Sequence, residues 1–117
     1  MNSKTTIYYN PSCSKSRATL ELLTEKDERL DIVNYLDTPP DYETLKTLLD
    51  LLKIEPRELM RKGESLYQSL NLDDISLSED DLIKAMLENP ILIERPIVVK
   101  KGRAIIARPP MSVIDIL

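Results

Sequence analysis

The sequence lacks the side chains on which many active sites depend. Its 117 residues contain one cysteine, Cys13, and no histidine. A single cysteine cannot form an intramolecular disulfide or a cysteine-rich zinc site. A Ser-His-Asp or Cys-His site is also excluded, because histidine, the usual general base near neutral pH, is absent. Any nucleophile in this chain must therefore be activated by its electrostatic surroundings.

Tryptophan, phenylalanine and long apolar runs are missing as well. The hydrophobic residues, 42% of the chain, must therefore build a core mainly from Leu, Ile, Val and Met. No stretch approaches the roughly 20 apolar residues that cross a bilayer, and residues 1–6 lack the apolar run of a signal peptide. The net charge of −4 argues against a nucleic-acid binder. We expect one cytoplasmic domain over residues 1–117, without a metal site or a nucleic-acid or membrane partner, and monomeric because no exposed apolar stripe is evident.

The predicted elements follow the order β-α-β, then several helices, then β-β-α. The first group is a strand, a helix and a strand, at residues 5–9, 14–27 and 30–35. Helical patterns follow at 41–52, 57–61, 64–70 and 78–89. The last group is a hairpin and a short helix, with strands at 96–100 and 104–107, a turn at 101–103 and the helix at 111–116. This order predicts an α/β chain with a thioredoxin-like fold and a helical insertion at about residues 41–90.

Cys13 follows the first predicted strand and precedes the first predicted helix. At a helix N-terminus, unpaired backbone N–H groups carry partial positive charge and favour the thiolate. The neighbouring residues 10–17 add hydroxyl groups and two cations. A buried structural cysteine is the alternative, but this polar turn favours a functional thiol. The sequence Cys-Ser-Lys-Ser also fits monothiol disulfide exchange, whereas a phosphatase loop of the type C-x₅-R is absent because residue 19 is threonine.

Three arginines stand out by their positions. Arg61 lies at the end of a short predicted helix, and Arg95 and Arg108 flank the two strands of the predicted hairpin. A single arginine is usually a solvated surface residue. In a thioredoxin-like sheet, however, the start of the third strand approaches the loop that carries the cysteine, and guanidinium groups bind tetrahedral oxyanions through paired donors. The pattern indicates a thiolate beside an anion-binding site.

Five segments of the chain resemble the glutaredoxin-coupled arsenate reductases. Residues 10–17 (NPSCSKSR) match the family pattern N-P-x-C-x-x-S-R, and the other matches are YLDTPP at 35–40, LMRK at 59–62, PILIERPIVV at 90–99 and ARP at 107–109. The resemblance covers essentially the whole chain in order. It implies a thioredoxin-like fold with an inserted helical part. It also places Pro96 where that fold often has a cis proline.

The resemblance implies that this is an arsenate reductase with Cys13 as its nucleophile. Arg61, Arg95 and Arg108 would bind arsenate and arsenite, with Asn10, Ser14, Ser16 and Arg17 supporting the loop. No cofactor would be bound. Glutathione would be the co-substrate and glutaredoxin the protein partner, which agrees with a chain that has no second thiol.

Three features resemble a shorter branch of this family. Tyr9 stands where well-studied members have histidine, Ser14 and Lys15 replace their Gly-Thr, and the sequence ends at Leu117 without their C-terminal extension. Two alternatives remain open. One is a glutathione-dependent thiol-disulfide oxidoreductase that uses Cys13 on another substrate. The other is a regulator that binds RNA polymerase, although many such relatives carry a C-x-x-C switch.

Overall fold

The computed structural model describes residues 4–117, which fall into two compact units. The first unit contains residues 4–38 together with Arg95–Leu117, and the second is Pro39–Glu94. The helical insertion predicted at about residues 41–90 falls within the second unit. Residues 1–3 of the predicted domain lie outside the described residues. That residues 1–117 form a single domain stays a prediction.

The first unit begins with a parallel β-α-β arrangement. Strand β1 (Thr5–Tyr9) leads to helix α1 (Ser14–Glu25), and strand β2 (Leu30–Asn34) follows. The β-branched and aromatic residues of β1 favour a strand, and Pro11 interrupts it. Strands β1 and β2 pair in parallel along their full length. The sequence prediction for these three elements is confirmed within two residues at each end.

A hairpin completes the sheet. Strand β3 (Ile97–Lys100) pairs antiparallel with both β1 and β4 (Arg103–Ile106), and the strand order is β2-β1-β3-β4. The turn holds two residues, Lys101 and Gly102, with φ angles of 51° and 73°. Positive φ at both positions matches the twist of a tight hairpin. The prediction that Arg103 belongs to the turn is therefore wrong, because Arg103 begins β4.

The core of the first unit lies between the sheet, α1 and a C-terminal 3₁₀ helix, Pro110–Ile116. Its buried members come from all three: Ile7, Leu23, Val98, Ala107, Val113 and Ile116. The C-terminal helix was predicted at 111–116. It begins one residue earlier, with Pro110, whose fixed φ and missing N–H suit a first helical position. The order β-α-β followed by β-β-α confirms the predicted thioredoxin-like fold.

The second unit is helical. Its α-helices are α2 (Tyr42–Leu52), α3 (Ser65–Ser69) and α4 (Glu79–Glu88), and two 3₁₀ helices lie at Pro56–Leu59 and Pro90–Leu92. Side chains cap the N-termini of α2 and α4. The Asp41 carboxylate accepts a hydrogen bond from the Thr44 N–H, and the Ser78 hydroxyl accepts one from the Asp81 N–H. These bonds satisfy N–H groups that have no partner within the helix.

One predicted helix boundary in the second unit is wrong, and one short helix was not predicted. The helix predicted over 57–61 is a 3₁₀ helix that ends at Leu59, and the 3₁₀ helix Pro90–Leu92 is an additional element after the helix predicted over 78–89. Extended backbone at Met60 explains the first difference, because this residue forms an antiparallel bridge with Ile93. Along residues 4–117 no helix is both long and apolar enough to cross a membrane.

Candidate active site

The loop between β1 and α1 folds around a buried asparagine. The backbone carbonyl of Asn10 accepts a hydrogen bond from the Cys13 N–H at 3.0 Å, and its side-chain oxygen accepts one from the Ser12 N–H at 2.9 Å. Arg17 closes the loop from the helix, because its Nη1 donates to the Pro11 carbonyl at 2.9 Å. The Asn-Pro-Ser sequence thus forms a tight turn that delivers Cys13 to the start of α1.

Cys13 occupies the N-cap position of α1. Its backbone is extended (φ −95°, ψ 122°), and its carbonyl accepts the first helical hydrogen bond, from the Arg17 N–H, at 3.1 Å. The side chain is partly buried and forms no disulfide. The backbone N–H groups of Lys15 and Ser16, which have no carbonyl partner within the helix, donate to Sγ of Cys13.

The thiol is poised to ionise near neutral pH. Burial by itself raises the pKa of Cys13. Hydrogen bonds from the Ser16 N–H, the Ser16 hydroxyl, the Lys15 N–H and the Arg95 side chain outweigh burial and lower the pKa from 9.0 to about 7. A substantial fraction of the protein therefore carries the thiolate, the nucleophilic form, at pH 7.

Ser16 links the loop to the sulfur. Its side chain is fully buried, and its Oγ accepts a hydrogen bond from the Asn10 N–H at 3.3 Å. A serine hydroxyl has one proton to donate. The Ser16 Oγ accepts the Asn10 N–H through a lone pair, which leaves its proton available for the hydrogen bond to the Cys13 sulfur.

Two arginines from the ends of the β3–β4 hairpin meet at Cys13. Nη2 of Arg108 lies 3.8 Å from the Cys13 sulfur, and Nε of the same guanidinium donates to the Arg95 carbonyl at 2.8 Å. Arg95 is 8% exposed. Each arginine precedes a cis proline: the Arg95–Pro96 bond is cis as predicted, and the Arg108–Pro109 bond is cis as well.

The third arginine of the predicted set, Arg61, lies in the second unit. It follows the 3₁₀ helix Pro56–Leu59, and its guanidinium is bound by two carboxylates, those of Glu64 and Glu94. Its predicted role in binding substrate stays a prediction. The structure therefore places Arg95 and Arg108 at the sulfur and gives Arg61 an acidic environment that the sequence did not suggest.

The supporting residues divide into those near the sulfur and those that shape the loop. Ser16 contacts the sulfur, Asn10 and Arg17 hold the loop, and Ser14 is exposed on the first turn of α1. The Lys15 N–H is one of the donors without a helical partner that the sequence predicts near the sulfur. One contributor was missed, the Arg95 carbonyl that holds the Arg108 guanidinium, because it depends on contacts distant in sequence.

This arrangement can attack an electrophile and stabilise an anion at the same place. The thiolate supplies the nucleophile, and fixed guanidinium charges stabilise both the thiolate and a tetrahedral oxyanion. Within the described residues, 4–117, no group of three or more Cys, Asp or Glu side chains is arranged to hold a metal ion. The fold and the site together define a thioredoxin-like protein with a single activated cysteine.

The chain belongs to the ArsC family, whose model matches residues 8–116. It is 53% identical over 118 residues to the uncharacterized protein YfgD of Escherichia coli K12, covering 100% of this chain and 99% of that protein. It is 46% identical over 112 residues to an arsenate reductase of Haemophilus influenzae, covering 95% and 97%. A solved structure of an arsenate reductase from Vibrio cholerae matches all of both chains with 48% identity and a TM-score of 0.97. The family predicted from the five sequence segments is confirmed, and the assignment to a shorter branch stays a prediction.

Proposed function

We propose that this protein reduces arsenate to arsenite, with Cys13 as the nucleophile and glutathione and glutaredoxin as the source of electrons. One observation carries the proposal: a cysteine with a pKa of about 7 lies 3.8 Å from the guanidinium of Arg108. This pairing provides a reactive thiolate and a binding group for an oxyanion at one place. The similarity to proteins named arsenate reductase in Haemophilus influenzae and Vibrio cholerae supports arsenate as the substrate.

In the first step the Cys13 thiolate forms a sulfur–arsenic bond with As(V), and one arsenate oxygen takes up protons and leaves as water. Arg108 and Arg95 stabilise the charge on the remaining oxygens. The thiol of glutathione then forms a second sulfur–arsenic bond, and a second oxygen leaves as water. Arsenic is still As(V) at this point, because only ligands have been exchanged.

The electrons move in the next step. A glutaredoxin thiolate attacks the sulfur of the bound glutathione, and the bond between that sulfur and arsenic breaks. The electron pair of this bond stays on arsenic, which becomes As(III), and glutaredoxin and glutathione leave as a mixed disulfide. Water then hydrolyses the bond between Cys13 and As(III), which releases arsenite and restores the thiol.

The cysteine count supports thiol partners from outside the chain. Reduction of As(V) to As(III) takes two electrons, and two thiols must become one disulfide to supply them. The chain has one cysteine, so within this proposal the second and third sulfurs belong to glutathione and glutaredoxin. The proposal further includes a monomeric state, no bound cofactor and a cytoplasmic location. In the cytoplasm, glutathione keeps thiols reduced.

The test is NADPH consumption by the purified protein with glutathione, glutaredoxin and glutathione reductase, with and without arsenate. Arsenate-dependent turnover is expected in the wild type and in Ser14→Ala, and its loss is expected in Cys13→Ser. Ser14 is the matched control because it is an exposed serine on the same helical turn. A Tyr9→His variant measures what the tyrosine at this position does to the rate.

Two outcomes would change the assignment. Absence of arsenate dependence, with Cys13 still reducing a mixed disulfide of glutathione, would move the function to a thiol-disulfide oxidoreductase that shares this nucleophile. Full arsenate turnover in Cys13→Ser would remove Cys13 from the mechanism. Both results are read in the same assay, so the nucleophile and the substrate are tested separately.

A further inference from the structure

Two exposed cations, Lys15 and Arg17, follow Cys13 on the first two turns of α1. The Arg17 guanidinium has a structural partner, because its Nη1 donates to the Pro11 carbonyl at 2.9 Å. Within residues 4–117 the ammonium of Lys15 forms no hydrogen bond and no ion pair. The charge of Lys15 is therefore open to a molecule that arrives from solution.

The position of Lys15 opposes the stability of its helix. The N-terminus of a helix carries partial positive charge, so acidic residues stabilise it and cations destabilise it. The first turns of α2 and α4 contain acidic residues, whereas the first turn of α1 contains none and has Lys15 instead. A local preference that is broken without a compensating contact is expected at functional sites.

The charge of Lys15 is close to the reactive sulfur. The backbone N–H of this residue donates to Sγ of Cys13, and a stem of four carbons joins its backbone to the ammonium. The ammonium therefore stays within about one Debye length of the sulfur, which is about 10 Å at 0.1 M salt. Salt screens its charge only in part at this distance. Arg108 adds a second positive charge, with Nη2 3.8 Å from the sulfur.

The segments that meet at Cys13 carry charge of one sign. Residues 10–20, 95–99 and 104–114 contain four cations and neither Asp nor Glu. The first unit as a whole has ten Lys and Arg and seven Asp and Glu, a net charge of +3, although the whole chain has a net charge of −4. The unit that carries the nucleophile is therefore the basic part of an acidic protein.

We propose that Lys15 makes Cys13 selective for anionic thiols and disulfides, and is thus a residue that determines which thiol partner reacts. A negatively charged partner is attracted to the sulfur by the Lys15 ammonium, whereas a neutral or cationic partner is not. Glutathione, which has two carboxylates and one ammonium, belongs to the anionic class. This inference rests on the proposed function in one respect, the reaction of Cys13 with a thiol from outside the chain.

The test measures how the charge of a reagent changes its reaction with Cys13. Iodoacetate is anionic and iodoacetamide is neutral. Both alkylate by the same step, in which the thiolate sulfur bonds to the methylene carbon as the carbon–iodine bond breaks and iodide leaves. The rates are compared at about pH 9, where Cys13, with a pKa of about 7, is ionised and lysine is still protonated. The amide of N-acetylcysteine, a neutral thiol without neighbouring cations, gives the reference ratio of the two rates.

The variant Lys15→Gln is compared with Lys26→Gln, which removes the same charge from the other end of the same helix. Lys26 is exposed and follows α1 directly, about 16 Å from Lys15 at 1.5 Å per residue. In the wild type the ratio of iodoacetate to iodoacetamide rates should exceed the reference ratio and should fall with added salt. In Lys15→Gln this ratio should drop about two- to fivefold, the effect of one unit charge at about 8 Å near a protein surface. Lys26→Gln should match the wild type.

Two results of the alkylation assay would overturn the proposal. An unchanged ratio in Lys15→Gln would mean that the arginines alone set the charge preference, and a wild-type ratio at or below the reference would mean that the site does not favour anions. Unfolding in urea is the second measurement. Lys15→Gln should be at least as stable as the wild type, because it removes a cation from the positive end of α1. A loss of stability would contradict the absence of a structural partner for the ammonium.

This inference and the proposed function fail in different ways. If arsenate turnover is present but the alkylation ratio does not depend on Lys15, the inference is wrong and the proposed function stands. If arsenate turnover is absent but the ratio falls in Lys15→Gln, the proposed function is wrong and the selection of anionic partners by Lys15 stands. The alkylation rates need neither arsenate nor glutaredoxin, so the two results are independent.

Discussion

Ser16→Ala is the substitution that most directly tests how the fold activates Cys13. It removes a buried hydroxyl that donates to the sulfur and accepts the Asn10 N–H. The backbone N–H groups of Ser16 and Lys15 keep their positions on the first turn of α1. The substitution therefore removes one donor from the thiolate and leaves the helix N-terminus and the arginines in place.

The expected effect is a higher pKa. A hydrogen bond to a charged group contributes more than a neutral one, so its loss should raise the pKa of Cys13 from about 7 to roughly 8. At pH 7 the thiolate fraction then falls from about one half to about one tenth. Alkylation of Cys13 at pH 7 should accordingly be about fivefold slower, and the difference should vanish at high pH, where the thiolate is complete in both proteins.

The assay is the rate of alkylation of Cys13 by iodoacetamide as a function of pH, with the ultraviolet absorbance of the thiolate as a second measure. Ser14→Ala, the same substitution on the exposed side of the turn, is expected to match wild type. The reasoning is refuted if Ser16→Ala leaves the pKa unchanged, or if Ser14→Ala raises it equally. The first result would assign the lowered pKa to the backbone donors and the arginines alone.

Three other changes have expected outcomes. In Arg108→Lys, the lysine ammonium cannot both donate to the Arg95 carbonyl and reach the Cys13 sulfur as the guanidinium does. The kcat/KM for arsenate should therefore fall roughly ten- to a hundredfold. Unchanged kinetics would show that only the positive charge at this position matters. Ser78→Ala removes the acceptor of the Asp81 N–H at the start of α4 and should lower the free energy of unfolding in urea by about 1 kcal/mol; equal stability would mean that water replaces the cap. Lys100 and then Thr5 lower the pKa of Glu28 from 4.5, so the stabilisation by Glu28 is present above that value and is lost as the pH falls through the lowered pKa. The difference in unfolding free energy between wild type and Glu28→Gln should therefore shrink in acid, and a difference independent of pH would contradict the ion pair.

Local sequence was sufficient for most elements of the fold, for identifiable reasons. The β-branched run of β1, the proline after it, the acidic first turn of α4 and the positive φ available to Gly102 are properties of short segments. Each acts within a few residues, so each can be recognised without knowledge of the rest of the chain. The end of the 3₁₀ helix at Leu59 was misplaced because it depends on a partner distant in sequence, the Ile93 that bridges to Met60. The start of β4 was misplaced by one residue although its partner is near in sequence, because Arg103 pairs with Lys100 across the hairpin.

The sequence by itself determined that a lone cysteine would lie at a helix N-terminus, because the strand, the turn and the helix around it are contiguous. Only the tertiary structure decided which groups from distant parts of the chain reach the sulfur. Arg108 is far from Cys13 along the chain, and the pairing of β3 with β1 brings the hairpin ends to the loop. The Glu94 carboxylate beside Arg61 was likewise beyond local prediction, since it reaches Arg61 through the bridge between Met60 and Ile93. Long-range pairing of backbone groups, which no local propensity encodes, brings Arg108 to the sulfur and Glu94 to Arg61.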